Sequence, residues 1–158
     1  MTHMEELANA VWRELRLSPG ASIDEVCAAL KRQWGYYVEV HPRPMGNRAV
    51  YGTCWAAGDD IWVITVRDDA PPLQRDLTVY HEIEHIISGD VATPGSFIVR
   101  RDDILVTPNE ADANAFAQAF AMLALYGEPD TALGNAIQAP GDDELPARYK
   151  AFHDKLRQ

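Results

Sequence analysis

The chain has 158 residues, 47% of them hydrophobic and 24% charged, a composition that suits one folded domain with a core of its own and excludes a disordered chain. Its 14 basic and 24 acidic residues leave a net charge of −10, and the basic residues are scattered, so a phosphate backbone would be repelled and direct nucleic-acid binding is not expected. No apolar run approaches the roughly 20 residues that span a bilayer.

The start, MTHMEELANA, is acidic and polar, unlike a signal peptide. Cys27 and Cys54 stand apart with no C-x-x-C spacing. A reduced, cytoplasmic protein with no membrane partner is the expectation. Leu7, Val11 and Leu15, with Ala8 and Trp12, recur at helical spacing and predict a helix from about Glu5 to Leu17. Ser18-Pro19-Gly20 ends it, and Ser22-Ile23-Asp24-Glu25 reads as a capping box that opens a second helix, stopping near Gly35. The pair could pass for half of a helix-turn-helix, but neither helix has a basic recognition face.

Tyr36 to Val40 reads as a strand ended by His41-Pro42. Ala49 to Ala56 and Ile61 to Arg67 read as a hairpin joined at Ala57-Gly58-Asp59-Asp60. The second of these strands is apolar on nearly both faces and should lie against the core. A helix is predicted from about Leu73 to Ser88, with Gly89 as its C-terminal cap. Ser96 to Val106 suggests a strand or short hairpin. Thr107-Pro108-Asn109 starts an alanine-rich helix that runs to Tyr126 and stops at Gly127. Beyond Pro129, Gly141 to Glu144 reads as a loop and Ala147 to Leu156 as a last helix. The expected architecture is α+β: a single domain over residues 1–158 with a small sheet, a core metal site within 73–127 and a helical tail over 130–158.

The chemistry lies in His81-Glu82-Ile83-Glu84-His85, an H-E-x-x-H motif inside the third predicted helix. Positions four apart lie one turn above each other, so both imidazoles leave the same face and suit one tetrahedral zinc ion. Glu82 is rotated sideways, within reach of a water at the metal but not placed as a ligand. Catalytic zinc needs a third protein ligand. Glu110, 25 residues after His85 in the first turn of the next strong helix, can supply it by an antiparallel return. Glu110 also fits as an acid favoured by the helix dipole, and beside H-E-x-x-H the ligand reading is preferred. Asn114, four residues on, faces the same side and is expected to hydrogen-bond a ligand imidazole. Asp112 is expected to point away into solvent.

Arg75-Asp76-Leu77-Thr78 before the motif and E-A-D-A-N-A-F-A after it complete a pattern that resembles the ImmA/IrrE family of metallopeptidases. The resemblance runs from Leu77 to Ala117. It implies a minimal zincin fold, His81, His85 and Glu110 as ligands of one zinc, Glu82 as general base, and limited cutting of a helix-turn-helix repressor. Glu84 stands where that family more often has a small residue, and the helix ending Phe120-Ala121-Met122-Leu123 lacks the usual Leu-Met-Pro.

Three function classes follow. The leading one is a zinc metallopeptidase that cuts a cytoplasmic DNA-binding repressor, with an extended substrate segment pairing on an edge of the Ala49 to Arg67 hairpin. The second is a non-catalytic module stabilised by zinc, in which Cys27 or Cys54 closes the coordination. The third is a toxin-like protein controlled by a partner. His3, His41 and His153 are read as ordinary surface or core-edge residues and the four tryptophans as packing residues. No oxyanion-stabilising group stands out, although Tyr126 and His153 are the available side chains.

Overall fold

The computed structural model describes residues 1–46, 50–89, 97–101 and 108–128. The expected helical tail, the loop at Gly141 to Glu144 and His153 lie outside them, as do all the residues between the fourth strand and the fourth helix. Among the described residues four helices and four strands follow in the order α1 (His3–Leu15), α2 (Ile23–Trp34), β1 (Tyr37–Arg43), β2 (Val50–Gly58), β3 (Ile61–Arg67), α3 (Pro72–Ser88), β4 (Phe97–Arg101) and α4 (Pro108–Tyr126). The expected α+β class holds.

Local chemistry sets the helix ends. α1 begins two residues earlier than its apolar spacing suggests, because Thr2 and Glu5 form a reciprocal capping box: the Thr2 hydroxyl accepts from the Glu5 N–H, and the Glu5 carboxylate accepts from the Thr2 N–H at 3.0 Å. α2 carries only half of the predicted box. Ser22 Oγ accepts from the Glu25 N–H, while the Glu25 carboxylate takes the Ser22 hydroxyl instead of its backbone N–H. α3 ends at Gly89, whose φ of 79° lets its N–H turn back to the carbonyls of His85 and Ile86.

The strands depart further from expectation. β1 does not stop at His41-Pro42 but runs through both to Arg43, with Pro42 opposite Val66. The sheet order β1-β3-β2-β4 explains this: β1 is an edge strand, so the missing Pro42 N–H can lie on the side away from the ladder. β1 runs parallel to β3, and β2 is antiparallel to both β3 and β4. The hairpin therefore has no free edge. β1 covers the outer side of β3 and β4 covers the outer side of β2, so the expectation of a substrate strand pairing on that hairpin is corrected. The edges among the described residues belong to β1 and β4.

α3 lies on β2 and β3, α4 packs against α3, and α1 packs against α4. One apolar cluster joins them, including Leu7, Val11 and Leu15 of α1, Ile64 and Val66 of β3, Val79, Tyr80 and Ile83 of α3, and Phe116 and Phe120 of α4. The aromatic rings lock it: Phe120 meets Trp12 edge-on at 5.6 Å and Tyr80 at 4.8 Å. Trp34, Tyr36 and Trp62 form a second aromatic contact group at the β1 end, as packing residues should. Gly52 sets how closely α3 approaches the sheet. A Cβ there would collide with the Thr78 methyl group, one turn before His81 and Glu82.

Candidate metal centre

α3 buries eleven consecutive residues, Thr78 to Ser88. An amphipathic helix on a surface would bury only one stripe. The sheet lies under one side and α4 over the other, so the polar side chains His81, Glu82, Glu84 and His85 are enclosed together with the isoleucines. Glu82 and Glu84 have no exposed surface at all. Burial of this much ionisable chemistry is unfavourable unless charges and hydrogen-bonding groups are matched.

The match comes from α4. Its first turn brings Glu110 over the α3 face, with Oε2 at 3.1 Å from His81 Nε2 and Oε1 at 3.2 Å from His85 Nε2. The two Nε2 atoms are 3.2 Å apart, their rings crossed at 62°. His81, His85 and Glu110 thus form a group close enough to bind a metal ion, and it is the group of that kind among the described residues. The fit is quantitative. Tetrahedral zinc with bonds of about 2.0–2.1 Å places its donor atoms roughly 3.3–3.4 Å apart, close to the separations seen. The donor chemistry fits as well, since imidazole with carboxylate suits zinc and other divalent first-row ions.

Asn114 lies one turn after Glu110 on α4, and its Oδ1 accepts from His81 Nδ1–H at 2.7 Å. That bond fixes the tautomer and leaves the Nε2 lone pair directed at the group. One helix therefore supplies both an anionic donor and the orientation of a neutral one. The three donors are not equally enclosed. The side chains of His81 and Glu110 are 11% and 19% exposed, whereas that of His85 is 1% exposed. Small molecules would approach over His81 and Glu110.

Sequence reasoning noted Glu84 only as a residue larger than is usual in the resembled family, not as a neighbour of His85. Its Oε2 stands 3.6 Å from His85 Nδ1, on the opposite side of that ring from the donor group. Successive helical residues point about 100° apart, so spacing gave no sign that Glu84 and His85 would meet. The available signal was an acid in the middle of a helix otherwise flanked by isoleucines. Asp112 also differs from expectation: it is half-buried rather than solvated.

Other residues lie away from the centre. Cys54 is fully buried on β2 and Cys27 half-buried on α2, and neither belongs to the donor group. Burial, then the negative charge of Asp24, pushes the Cys27 thiol up to about 11. Burial, followed by Asp76 and Cys27, also holds the Tyr80 phenol above its ordinary range, so Tyr80 is a neutral core residue facing Phe120. Asp76 is itself raised, by burial, against the opposing pull of Arg75. Tyr126 is 72% exposed at the far end of α4, roughly 24 Å from Glu110 at 1.5 Å of rise per residue, and is removed as an oxyanion group. No helix among the described residues is long and apolar enough to cross a membrane.

Comparison with known proteins adds no relative: no family model, no curated protein and no solved structure matches the chain.

Proposed function

We propose that this protein is a zinc-dependent metallopeptidase that makes limited cuts in a cytoplasmic DNA-binding repressor. The observation that carries the reading is a convergence: Nε2 of His81, Nε2 of His85 and the Glu110 carboxylate lie 3.1–3.2 Å apart, and Glu82, next to His81 in the chain, is fully enclosed. His81, His85 and Glu110 would hold the zinc, with Asn114 orienting His81. When bound, zinc supplies Lewis acidity, lowering the pKa of water and polarising a carbonyl.

The chain's own part is positional and acid–base. Glu82 sits one residue after His81 on the same helix, in a site closed to bulk water on the His85 side. As general base its carboxylate takes the proton of the attacking water and returns it to the departing amine nitrogen. Exclusion of water strengthens every charge interaction at this step. Among the described residues the group has three donors, with neither cysteine among them, which favours an open catalytic coordination over a closed structural one.

The substrate class rests on two further supports. The motif pattern resembles the ImmA/IrrE family, and a net charge of −10 complements the basic surface of a DNA-binding protein. A segment already extended and unpaired would pair on an edge strand, β1 or β4, and folded domains would be spared. The test incubates the zinc-loaded chain with the helix-turn-helix protein encoded beside it. One discrete cut is expected, reduced about 10²–10⁴-fold by Glu82→Gln while zinc content and melting temperature stay the same. Equal cleavage by Glu82→Gln would remove Glu82 as the base. Broad degradation of unfolded proteins, with the repressor intact, would replace the repressor by a housekeeping role.

A further inference from the structure

Asn114 is bonded on one side and open on the other. Its Oδ1 accepts from His81 Nδ1–H at 2.7 Å, yet the residue as a whole is exposed. A His81 whose Nε2 lone pair faces the donor group carries its proton on Nδ1, so the amide must present its oxygen to the ring. The Nδ2 amino group is then turned away from His81, and among the described residues nothing accepts a hydrogen bond from it.

A carboxylate at this position would serve His81 at least as well, because an ionised oxygen is the stronger acceptor for an imidazole N–H. What the amide offers and a carboxylate lacks is a pair of N–H donors. Those donors lie at the more open side of the metal centre: Asn114 touches His81 and follows Glu110 by one turn, and the side chains of these two donors are 11% and 19% exposed. Gln118, one turn further along α4, is a second exposed amide. Four helical residues advance about 6 Å, and carbonyls on one side of an extended peptide recur about every 6.6 Å, so two amides in this register suit one extended backbone. The same stretch of α4 is free of charge. From Ala113 to Gly127 there is no Asp, Glu, Lys or Arg, the longest such run in the chain.

We propose, on the metallopeptidase reading, that Asn114 binds substrate as well as orienting His81: its Nδ2–H donates to a backbone carbonyl of the bound peptide beside the metal centre, with Gln118 in register for the carbonyl two residues on. A carbonyl acceptor is common to every residue type, so the contact recognises an extended, unpaired backbone rather than a particular side chain. Folded segments, whose carbonyls are already bonded, would not satisfy it.

Asn114→Asp separates the two roles, since it keeps an acceptor for His81 and removes both donors. The experiment measures zinc affinity of the full chain against a chromophoric chelator. It then follows, by the absorption of the cobalt-loaded chain, the binding of three probes. Acetohydroxamate reaches only the metal; two trialanine hydroxamates carry a peptide on the amino or the carboxyl side of the metal-binding group. Wild type is expected to bind one trialanine probe more tightly than acetohydroxamate. Asn114→Asp should keep zinc and acetohydroxamate affinity within about threefold of wild type. On the preferred trialanine probe it should lose about 10-fold, the worth of one hydrogen bond to a peptide group. Unchanged trialanine binding in Asn114→Asp, with zinc retained, overturns the proposal and leaves Asn114 as an orienting residue alone. Equal weakening of all three probes also overturns it, because the effect then passes through the metal. A wild-type chain that holds zinc but prefers neither trialanine probe overturns the proposal and leaves the metal centre standing. One that binds neither zinc nor cobalt overturns the proposal and the metallopeptidase reading together. If Asn114→Asp does not fold, wild type decides: the side-chain amide proton resonances of Asn114 in the zinc-loaded chain should move with the preferred trialanine probe and stay in place with acetohydroxamate. An equal response to both overturns the assignment.

Discussion

α1 and α3 are built on opposite terms. α1 buries eight residues, and all but Asn9 are apolar. α3 buries eleven in succession, and Thr78, His81, Glu82, Glu84, His85 and Ser88 among them are polar or charged. Burial of α1 is the reason for its stability. In α3, Thr78 and Ser88 bond carbonyls of their own helix, and His81 and His85 meet two side chains of α4, Glu110 and Asn114. The difference teaches that the enclosed part of α3 combines core packing, through Val79, Tyr80, Ile83, Ile86 and Ile87, with a buried group of side chains close enough to bind a metal ion.

The sharpest way to break the comparison is to truncate one residue in each helix. Leu7→Ala in α1 should lower the unfolding free energy by about 2–5 kcal/mol in urea melts and leave zinc affinity unchanged. His85→Ala in α3 should do the reverse, folding but losing most of its zinc by elemental analysis, because two remaining donors hold the ion weakly. If His85→Ala retained its zinc, the donor assignment would be wrong. If Leu7→Ala emptied the site, the two helices would be coupled rather than distinct.

Next comes the support under α3. Gly52→Ala places a methyl group against the Thr78 methyl, an overpacking that should cost about 1–3 kcal/mol. Adding Thr78→Ser removes the colliding methyl and should restore much of the loss. Zinc affinity of the single variant reports whether the sheet contact also sets the height of His81 over α4. No rescue by Thr78→Ser would mean that another neighbour of Gly52 limits the approach.

A smaller effect is expected on the far side of the site. Asn114→Ala should weaken zinc about 10-fold in chelator competition, since His81 Nδ1–H loses its 2.7 Å partner. Unchanged affinity would make the spacing of Glu110 and Asn114 a matter of helix periodicity alone.

The smallest effect tests the core side of α3, where Tyr80 meets Cys27 of α2. The folded state raises the Cys27 thiol from 9.0 to about 11, so the folded protein holds that proton more tightly than the unfolded chain. The associated stability is present below pH 9 and is lost as pH rises through about 11. Tyr80, raised from 10.0 by the same burial, extends the loss to higher pH. Urea melts between pH 8 and 11 should therefore show falling stability, with a shallower fall in Cys27→Ala. An identical slope in the variant would remove Cys27 from the effect.

Much of this molecule was legible before folding because the rules involved are local. A four-residue spacing places His81 and His85 on one helix face wherever the helix lies, and Glu110 and Asn114 repeat the same spacing one helix later. Ser22, Gly89 and Gly127 marked helix ends through hydrogen bonds and φ values that involve a few neighbouring residues. The capping role of Thr2 was also available in principle, because Glu5 follows at the right distance.

Tertiary structure decided the rest, because strand pairing and enclosure depend on residues far apart in the chain. Periodicity within β1 carries no information that β3, and not β2, will lie beside it, so the strand seemed to end at Pro42. The hairpin looked open until β4, about forty residues later, paired with β2. Glu84 stood out only as larger than the resembled family's usual residue, and its complete burial followed from α4 and the sheet enclosing α3 from two sides. Sequence alone determined which side chains could serve a metal. The packing of α4 on α3 determined that Glu110 would meet both histidines, and that Glu84 would have His85 beside it instead of water.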